Sequence, residues 1–248
     1  VHLNLNGIEL YHGDCLKLMQ FIPDQSVDLV LADPPYEITA CEYDSIIPLE
    51  PLWEQIKRII KTNSAVVMTA CQPFTSQLVT SNLGWFKEEL IYEKTNPKNY
   101  FNAKRQHLCA HENIIVFSNG TYTYNPQKWT IPEYLRTKRK ALTEKPVGEC
   151  YGGGKIKRKP DDGSRYPTTV IGFSNRVGRD KNYHPNQKPV ELMEYLVKTY
   201  SNKGELVLDF AAGSGTTGVA CKNLNRWFIG IEIIEKYFDI AQWRLKEE

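Results

Sequence analysis

The run Asp33-Pro34-Pro35-Tyr36 closes an apolar stretch, VDLVLA at 27–32. Each proline locks its own φ and pushes the residue before it out of the helical region, so the turn is extended and rigid. Pro34 and Pro35 lack an N–H and therefore offer carbonyl acceptors with few competing donors. A carboxylate, a carbonyl and an aromatic face are thus held together at a strand end. Such a set suits an exocyclic amine on a nucleobase, a poor nucleophile because its lone pair is delocalised into the ring. The Asp33 carboxylate and the Pro34 carbonyl can accept its two N–H bonds and draw the nitrogen toward tetrahedral geometry. Tyr36 can stack on the ring of a base held out of its duplex. Against an electrophilic donor, alignment and charge placement suffice, with no metal and no covalent nucleophile. The competing reading is a strand-ending turn with a capping Asp.

A second constellation lies far downstream. After ELVLDF (205–210) the chain reads AAGSGTTG, so Gly213, Gly215 and Gly218 spell G-x-G-x-x-G at the start of a helical pattern. Glycines there let a nucleoside cofactor approach a strand end and a helix N-terminus. Glu232 follows 19 residues after Gly213, at the end of the next strand-like run, where an acid can hold both hydroxyls of a ribose. The turn by itself does not choose between NAD and S-adenosylmethionine. Its position does bear on the choice, because only about 30 residues follow it and the remaining strands must come from earlier in the chain.

The elements that must carry these groups can be read from periodicity. IELYH (8–12), VDLVLA (27–32), AVVMTA (65–70), ELIYEK (89–94), NIIVFS (113–118), ELVLDF (205–210) and RWFIGIEI (226–233) have the composition of buried strands. LEPLWEQIKRIIK (49–61), PFTSQLVTSNL (73–83), KPVELMEYLVKTYS (188–201), TTGVACKNLN (216–225) and EKYFDIAQWRLK (235–246) read as helices. Strands alternating with helices predict an α/β protein with a mostly parallel sheet and helices on both faces. No internal repeat is visible.

Between about 120 and 183 the periodicity fades. Residues 126–183 hold 14 Lys and Arg against six acids, a local +8, whereas the whole chain is +2 and the remainder therefore −6. A basic insert in a mildly acidic body fits a polyanion-binding face, with an ordinary solvated surface as the alternative. The stretch GGGKIKRKPDDG (152–163) reads as a loop. Trp129, Tyr134, Tyr151 and Tyr166 are expected to form the insert's small core rather than base wedges. In NPKNYFNAKRQ (96–106), Lys98, Lys104 and Arg105 interleave with Tyr100 and Phe101, a pattern suited to phosphate contacts plus stacking.

Composition narrows the class further. With 41% hydrophobic and 24% charged residues over 248 positions, the chain is an ordinary globular one with a sizeable core. No apolar run approaches the length of a membrane span, and VHLNLNGIELYHGD lacks the layout of a signal peptide. The six cysteines contain no CxxC pair and suit a reducing cytoplasm. His107, Cys109 and His111 resemble half a metal site, but no third ligand is near and no metal is expected.

Taken together, these motifs resemble the amino-group DNA methyltransferases that modify adenine N6 or cytosine N4. DPPY is similar to the family's catalytic motif, which implies catalytic roles for Asp33, Pro34, Pro35 and Tyr36. LDFAAGSGTTG is similar to its cofactor turn, implying S-adenosylmethionine contacts from Asp209, Phe210, Ala211, Gly213, Ser214, Gly215 and Thr216. HPNQKPVEL (184–192) resembles the segment that helps hold the methionine part of the cofactor, pointing to His184, Gln187, Lys188 and Pro189. YHGDCL (11–16) is similar to the family's acidic position near the cofactor adenine, here Asp14 followed by Cys15, and Glu232 with Ile233 matches the ribose-binding position. Asp33 also faces the cofactor in this reading, and HENIIVF (111–117) resembles a further family strand. One departure is visible: where the family usually has Phe two residues after the motif Asp, this chain has Ala211, with Phe210 beside it.

The motif order, catalytic before cofactor-binding, resembles the circularly permuted beta group. That implies a Rossmann-like methyltransferase domain from 1–119 and 184–248, with 120–183 as an inserted target-recognition region. Arg136, Lys138, Arg139, Lys140, Lys157 and Arg158 are its candidate DNA contacts. The resemblance further implies duplex DNA as partner, a homodimer, a separately acting cognate restriction endonuclease, and a cytoplasmic, bacterial or phage-encoded setting. The acid at Asp33 favours adenine, since the cytosine-N4 members it resembles more often carry Ser there. The rival readings are cytosine N4, an RNA or protein amine, and an idle nucleic-acid-binding module. A module that only binds would need neither DPPY nor the glycine turn.

Overall fold

A computed structural model describes residues 2–37, 45–136, 150, 154, 161–175, 183–184 and 186–247, and the backbone of 144–146 and 155–157. In chain order its first elements are β1 (His2–Leu5), β2 (Ile8–His12), α1 (Cys15–Leu18), β3 (Val27–Ala32), α2 (Leu49–Ile59), β4 (Ile60–Ala70) and α3 (Phe74–Ser81). There follow β5 (Phe86–Lys98), β6 (Cys109–Phe117), β7 (Trp129–Thr130), β8 (Glu144–Pro146), β9 (Lys155–Lys157), β10 (Ser164–Arg165) and β11 (Val170–Phe173). The last are α4 (Val190–Tyr200), β12 (Leu206–Asp209), α5 (Thr216–Asn223), β13 (Trp227–Glu232) and α6 (Glu235–Glu247).

Nine strands form one sheet in the order β1-β2-β13-β12-β3-β4-β6-β5-β11. The central run from β2 to β4 is parallel throughout, and β11 lies parallel to β5. The pairs β1–β2, β4–β6 and β5–β6 are antiparallel. Because both faces are covered, the central strands are apolar on alternate sides rather than on one. Leu29, Leu31, Val67, Ile114 and Val207 face one core with Leu196 of α4, Val219 of α5 and Phe238 of α6. Val30, Val66, Met68, Ile115 and Leu208 face the other, with Cys15 of α1, Ile56 of α2 and Leu78 of α3.

Each strand and helix expected from periodicity is present. The largest boundary difference is at α2, which stops at Ile59 while β4 begins at Ile60 rather than at 65. Ile60 continues the helical spacing, yet it pairs with Val27 at the start of β3, and that ladder wins over the helix pattern. Pattern reading overlooked the edge strands β1 and β11, whose half-exposed residues give little alternation.

Topology explains why the motifs meet. α5 leaves β12 over one face of the sheet and α2 leaves β3 over the other, so the direction of winding switches between these adjacent strands. Ligands of open α/β sheets bind beyond the carboxyl ends at such a switch point. Antiparallel β6 starts at this same edge, and β5 ends there.

Residues Pro126–Thr168 form a second, small compact unit, shorter at both ends than the 120–183 segment expected from the resemblance. β11 lies within that expected segment by number but joins the main sheet. Two short antiparallel ribbons, β7–β10 and β8–β9, are its regular structure among the described residues. The expected small core is not seen: Trp129, Tyr134 and Tyr166 are all exposed. Two- and three-residue strands offer too little surface to enclose an aromatic ring. Tyr166 instead carries the Lys128 ammonium 4.1 Å from its ring centroid. Tyr151 lies outside the described residues.

Candidate active site

Beyond the carboxyl ends of the parallel strands lies a cavity of about 1000 Å³. Asp33, Pro34, Pro35 and Tyr36 line it from the end of β3, and Asp14 and Cys15 from the end of β2. Asp209, Phe210, Ala211, Gly213, Ser214 and Thr216 line it from β12 and the glycine turn. Glu232 and Ile233 come from β13, and His184, Gln187 and Lys188 from the approach to α4. Thus nearly every residue the sequence singled out for catalysis or cofactor binding faces one space. Pro189 and Gly215 do not line it. Pro189 caps α4 and is buried, and Gly215 packs against α6.

Asp33 is the most heavily engaged group. Its Oδ2 accepts from Lys188 Nζ at 2.6 Å, and its Oδ1 accepts from Tyr36 Oη at 2.5 Å and from the Thr69 hydroxyl. Tyr36 Oη also lies 2.6 Å from Thr69 Oγ1, closing a triangle of three oxygens. Burial, and then the charge of Asp33, raise the Tyr36 phenol well above its ordinary value, so it remains a donor at any working pH. The Tyr36 ring stacks on Phe74 with centroids 5.6 Å apart, and Lys188 Nζ stands 5.7 Å from the Tyr36 centroid.

The glycine turn is built by two different constraints. Gly213 has φ +53° and open space where a Cβ would point, consistent with close approach of a ligand. Gly215 and Gly218 serve packing instead. A Cβ on Gly215 would lie 3.0 Å from Ala241 Cβ, and one on Gly218 would lie 2.8 Å from both Leu245 and Phe228. Of the three glycines, Gly213 alone has open space on its Cβ side. Glu232 accepts from the backbone N–H groups of Gly213 and Ile234, each at 2.7 Å, which leaves each carboxylate oxygen a further lone pair. Asp14 caps α1 through Leu16 N at 2.9 Å. Gln187 Oε1 accepts from Ser214 Oγ at 3.3 Å and from Tyr183 N at 3.1 Å, tying the α4 approach to the glycine turn. His184 packs edge-on against Tyr237, and burial lowers its imidazole pKa. Open space at Gly213 beside acceptors at Glu232 and Asp14 fits a nucleoside, and polar groups at Gln187 and Ser214 fit a charged amino-acid tail.

A family model described as DNA methylase matches residues 27–243, most of the chain. The protein belongs to the N6/N4 DNA methylase family. It is 29% identical over 268 residues to the type II methyltransferase M.HinfI of Haemophilus influenzae, covering 95% of this chain and 67% of that relative. It is likewise 29% identical over 269 residues to M.BglII of Bacillus subtilis, covering 100% of this chain and 70% of the relative. The crystal structure of the M1.HpyAVI–SAM complex superposes with a TM-score of 0.65 at 25% identity, covering 95% of this chain and 98% of that one. The cytosine-N4-specific PvuII DNA methyltransferase shares the fold, with a TM-score of 0.70 at 16% identity and coverage of 97% and 87%.

Several groups in this DNA methylase carried no sequence signal. Thr69 lies next to the end of β4 in an ordinary strand pattern, yet its hydroxyl reaches Asp33. Lys94 and Glu112 belong to runs read as buried strands, with nothing to mark their charges as functional, yet both are buried at the cavity. Arg244 reads as a surface residue of the last helix, but it is buried and donates to the Ser214 carbonyl at 2.8 Å, supporting the turn from behind. Lys188, expected on the cofactor, lines the cavity and contacts Asp33 and Glu112. The departure at Ala211 is also accounted for. Phe210 packs into the core beneath the cavity while still lining it, and Ala211 leaves room beside it.

Of the candidate DNA contacts, Lys98 lines the cavity and donates to Asn186 Oδ1 at 3.3 Å. Tyr100, Phe101, Lys104 and Arg105 are exposed on the turn that follows. Arg136 is only partly exposed and folds over Gly163 of its own unit, donating weakly to Ile131 O at 3.4 Å. Lys138, Arg139, Lys140 and Arg158, and the side chain of Lys157, lie outside the described residues.

Two stability outcomes follow. Gly218→Ala should cost about 1–3 kcal/mol by overpacking, measured by urea unfolding, whereas Gly213→Ala should lose less stability and mainly weaken ligand binding. Equal stability of Gly218→Ala and the parent would contradict the packing assigned to it. Burial, above all, raises the Asp209 carboxyl to about 7. An acid raised on folding stabilises fully below its unfolded value, and that contribution is lost as pH rises toward 7. Asp209→Asn should therefore gain stability relative to the parent between pH 4 and 7, by an amount on the order of a few kcal/mol. A pH-independent difference in melting behaviour would contradict it.

Proposed function

We propose that this DNA methylase transfers a methyl group from S-adenosylmethionine to the exocyclic N6 of adenine, in a base flipped out of duplex DNA. The observation that carries the reading is the placement of Asp33 and the Gly213 turn on adjacent strands over one cavity. When bound, S-adenosylmethionine supplies an electrophilic methyl group on a sulfonium. Gly213, Ser214, Glu232 and Asp14 would hold its nucleoside side, and Gln187 and His184 its amino-acid side. Asp33 and the Pro34 carbonyl would accept the N–H bonds of the target amine and localise its lone pair. Asp33 would also accept the proton that the amine sheds once the new N–C bond has formed. Thr69, Tyr36 and Lys188 fix the orientation of that carboxylate, as preorganised catalysis requires. The acid at Asp33 is the reason for preferring adenine. Cytosine N4 is the second reading, favoured by the fold shared with a cytosine-N4-specific enzyme.

Residues 120–183, which include the Pro126–Thr168 unit, act in this reading as the target-recognition region, and the exposed Tyr100 and Phe101 would stack on an unpaired base. In this reading a cognate restriction endonuclease would act separately on the same sequence.

The deciding experiment incubates the protein with S-adenosylmethionine and unmethylated plasmid DNA, followed by mass spectrometry of the nucleosides. N6-methyldeoxyadenosine is the expected product. N4-methyldeoxycytidine would replace the base assignment, and no product would overturn the reading. Asp33→Ala should lower turnover by at least about 100- to 1000-fold while cofactor binding persists. Neutralising Lys138, Arg139 and Lys140 together should flatten the dependence of log K on log salt by up to about three units of slope. An unchanged slope would remove this run from the DNA face.

A further inference from the structure

We infer that Glu112 is a positioning residue for methyl transfer, holding Lys188 against Asp33 through a buried chain of alternating charges that ends at Lys94. The inference rests on the methyl-transfer reading above and deepens it. Lys94 Nζ lies 2.5 Å from Glu112 Oε1, Glu112 Oε2 lies 3.1 Å from Lys188 Nζ, and Lys188 Nζ lies 2.6 Å from Asp33 Oδ2. The side chains of Lys94, Glu112 and Lys188 are 4%, 8% and 7% exposed, whereas that of Asp33, at the cavity end, is 23% exposed. All four side chains line the cavity, and Asp33 is the most exposed of them.

Its components come from four places in the sheet edge: β5, β6, the approach to α4 and the end of β3. No neighbour in sequence can set their spacing. A lysine ammonium is a point charge on a flexible four-carbon stem, so one contact does not fix it. Here two carboxylates share it, and Glu112 is in turn gripped from its far side by Lys94. Removing Glu112 would leave two buried ammonium groups facing each other and only Asp33 to compensate them. Lys188 would then be free to shift, and the Asp33 oxygen it orders would shift with it.

The charges agree with this geometry. Burial acts to raise the Glu112 carboxyl, but Lys188 and then Lys94 override it and hold the group at about 2. Burial likewise acts to lower the Lys188 ammonium, and Asp33 and then Glu112 reverse that, raising it above its ordinary value. Lys188 also faces Tyr36 from the β3 end, Lys98 from β5 and His184 from its own segment. Tyr92 and Cys71 nearby are both raised to about 12, by burial first, and stay neutral through the working range. Loss of Glu112 therefore leaves Lys188 less strongly held in its charged form, and its proton is lost at lower pH.

The test compares the full-length protein with Glu112→Gln and with the charge-balanced double variant Lys94→Met/Glu112→Leu, the second guarding against a fold lost to unpaired buried charge. Turnover, KM for S-adenosylmethionine and pH–rate profiles are measured on unmethylated duplex DNA. The expected result in whichever variant folds is a roughly 10- to 100-fold fall in kcat with cofactor affinity largely retained. Any movement of the alkaline limb should be to lower pH. Wild-type kcat would overturn the inference. So would a loss confined to KM, or a fall in kcat matched by an equal loss of cofactor affinity, which is what a merely loosened fold would give. A parent protein that methylates no DNA would instead overturn the underlying reading, and leaves the two failures distinguishable.

Discussion

The ion pair between Lys188 and Asp33 joins chain segments 155 residues apart, and the organisation of the cavity depends on it. Asp33 ends β3 on one side of the topological switch. Lys188 sits just before α4, whose helix packs on the opposite face from α2. A contact of this kind cannot form until the sheet is complete, because each partner is delivered by a different crossover. The catalytic motif is therefore a turn that is rigid locally and oriented globally. Its prolines fix the backbone, but the direction of its carboxylate is set by Lys188, Thr69 and Tyr36.

Energetically, such a network is a poor route to stability. Taking each ion out of water costs several kcal/mol, and apolar replacements of buried ion pairs are often neutral or stabilising. Lys94, Glu112, Lys188 and Asp33 sum to zero charge, which makes their joint burial tolerable without making it advantageous. The same low-dielectric setting makes any group held by them hard to reorient, which is what a preorganised acceptor needs. The sheet's two apolar cores carry the folding free energy, and the charged edge makes use of the rigidity they provide.

Much of this was legible in the sequence. Strand runs such as VDLVLA and IELYH coincide with β3 and β2, because strands buried on both faces have an apolar density that loops lack. DPPY and the glycine turn were legible because rigid backbone needs proline and tight turns need glycine, and both leave a local signature. The role of Lys188 was not legible. Its motif pointed toward the cofactor, and only the three-dimensional position of Glu112 shows where the ammonium goes. Lys94 and Glu112 were hidden for a related reason: a charge within a buried-strand run does not name the distant partner that will neutralise it. In the Pro126–Thr168 unit, composition gave the charge but not the structure, since its short ribbons have no period to detect, and Trp129, Tyr134 and Tyr166 stayed on the surface.

The glycine turn makes the same distinction within one motif. Gly213, Gly215 and Gly218 look equivalent as letters, yet one borders open space and two are pressed against α6 and β13. α6 is thus part of the cofactor site without lining most of it. Ala241 and Leu245 set how closely α5 can approach, and buried Arg244 ties the Ser214 carbonyl to the helix. The turn's shape is consequently determined from behind, by packing, and only its outer edge by the ligand it admits. Asp33 obeys the same rule at the other end of the cavity, where a carboxylate is aimed by Lys188, Thr69 and Tyr36.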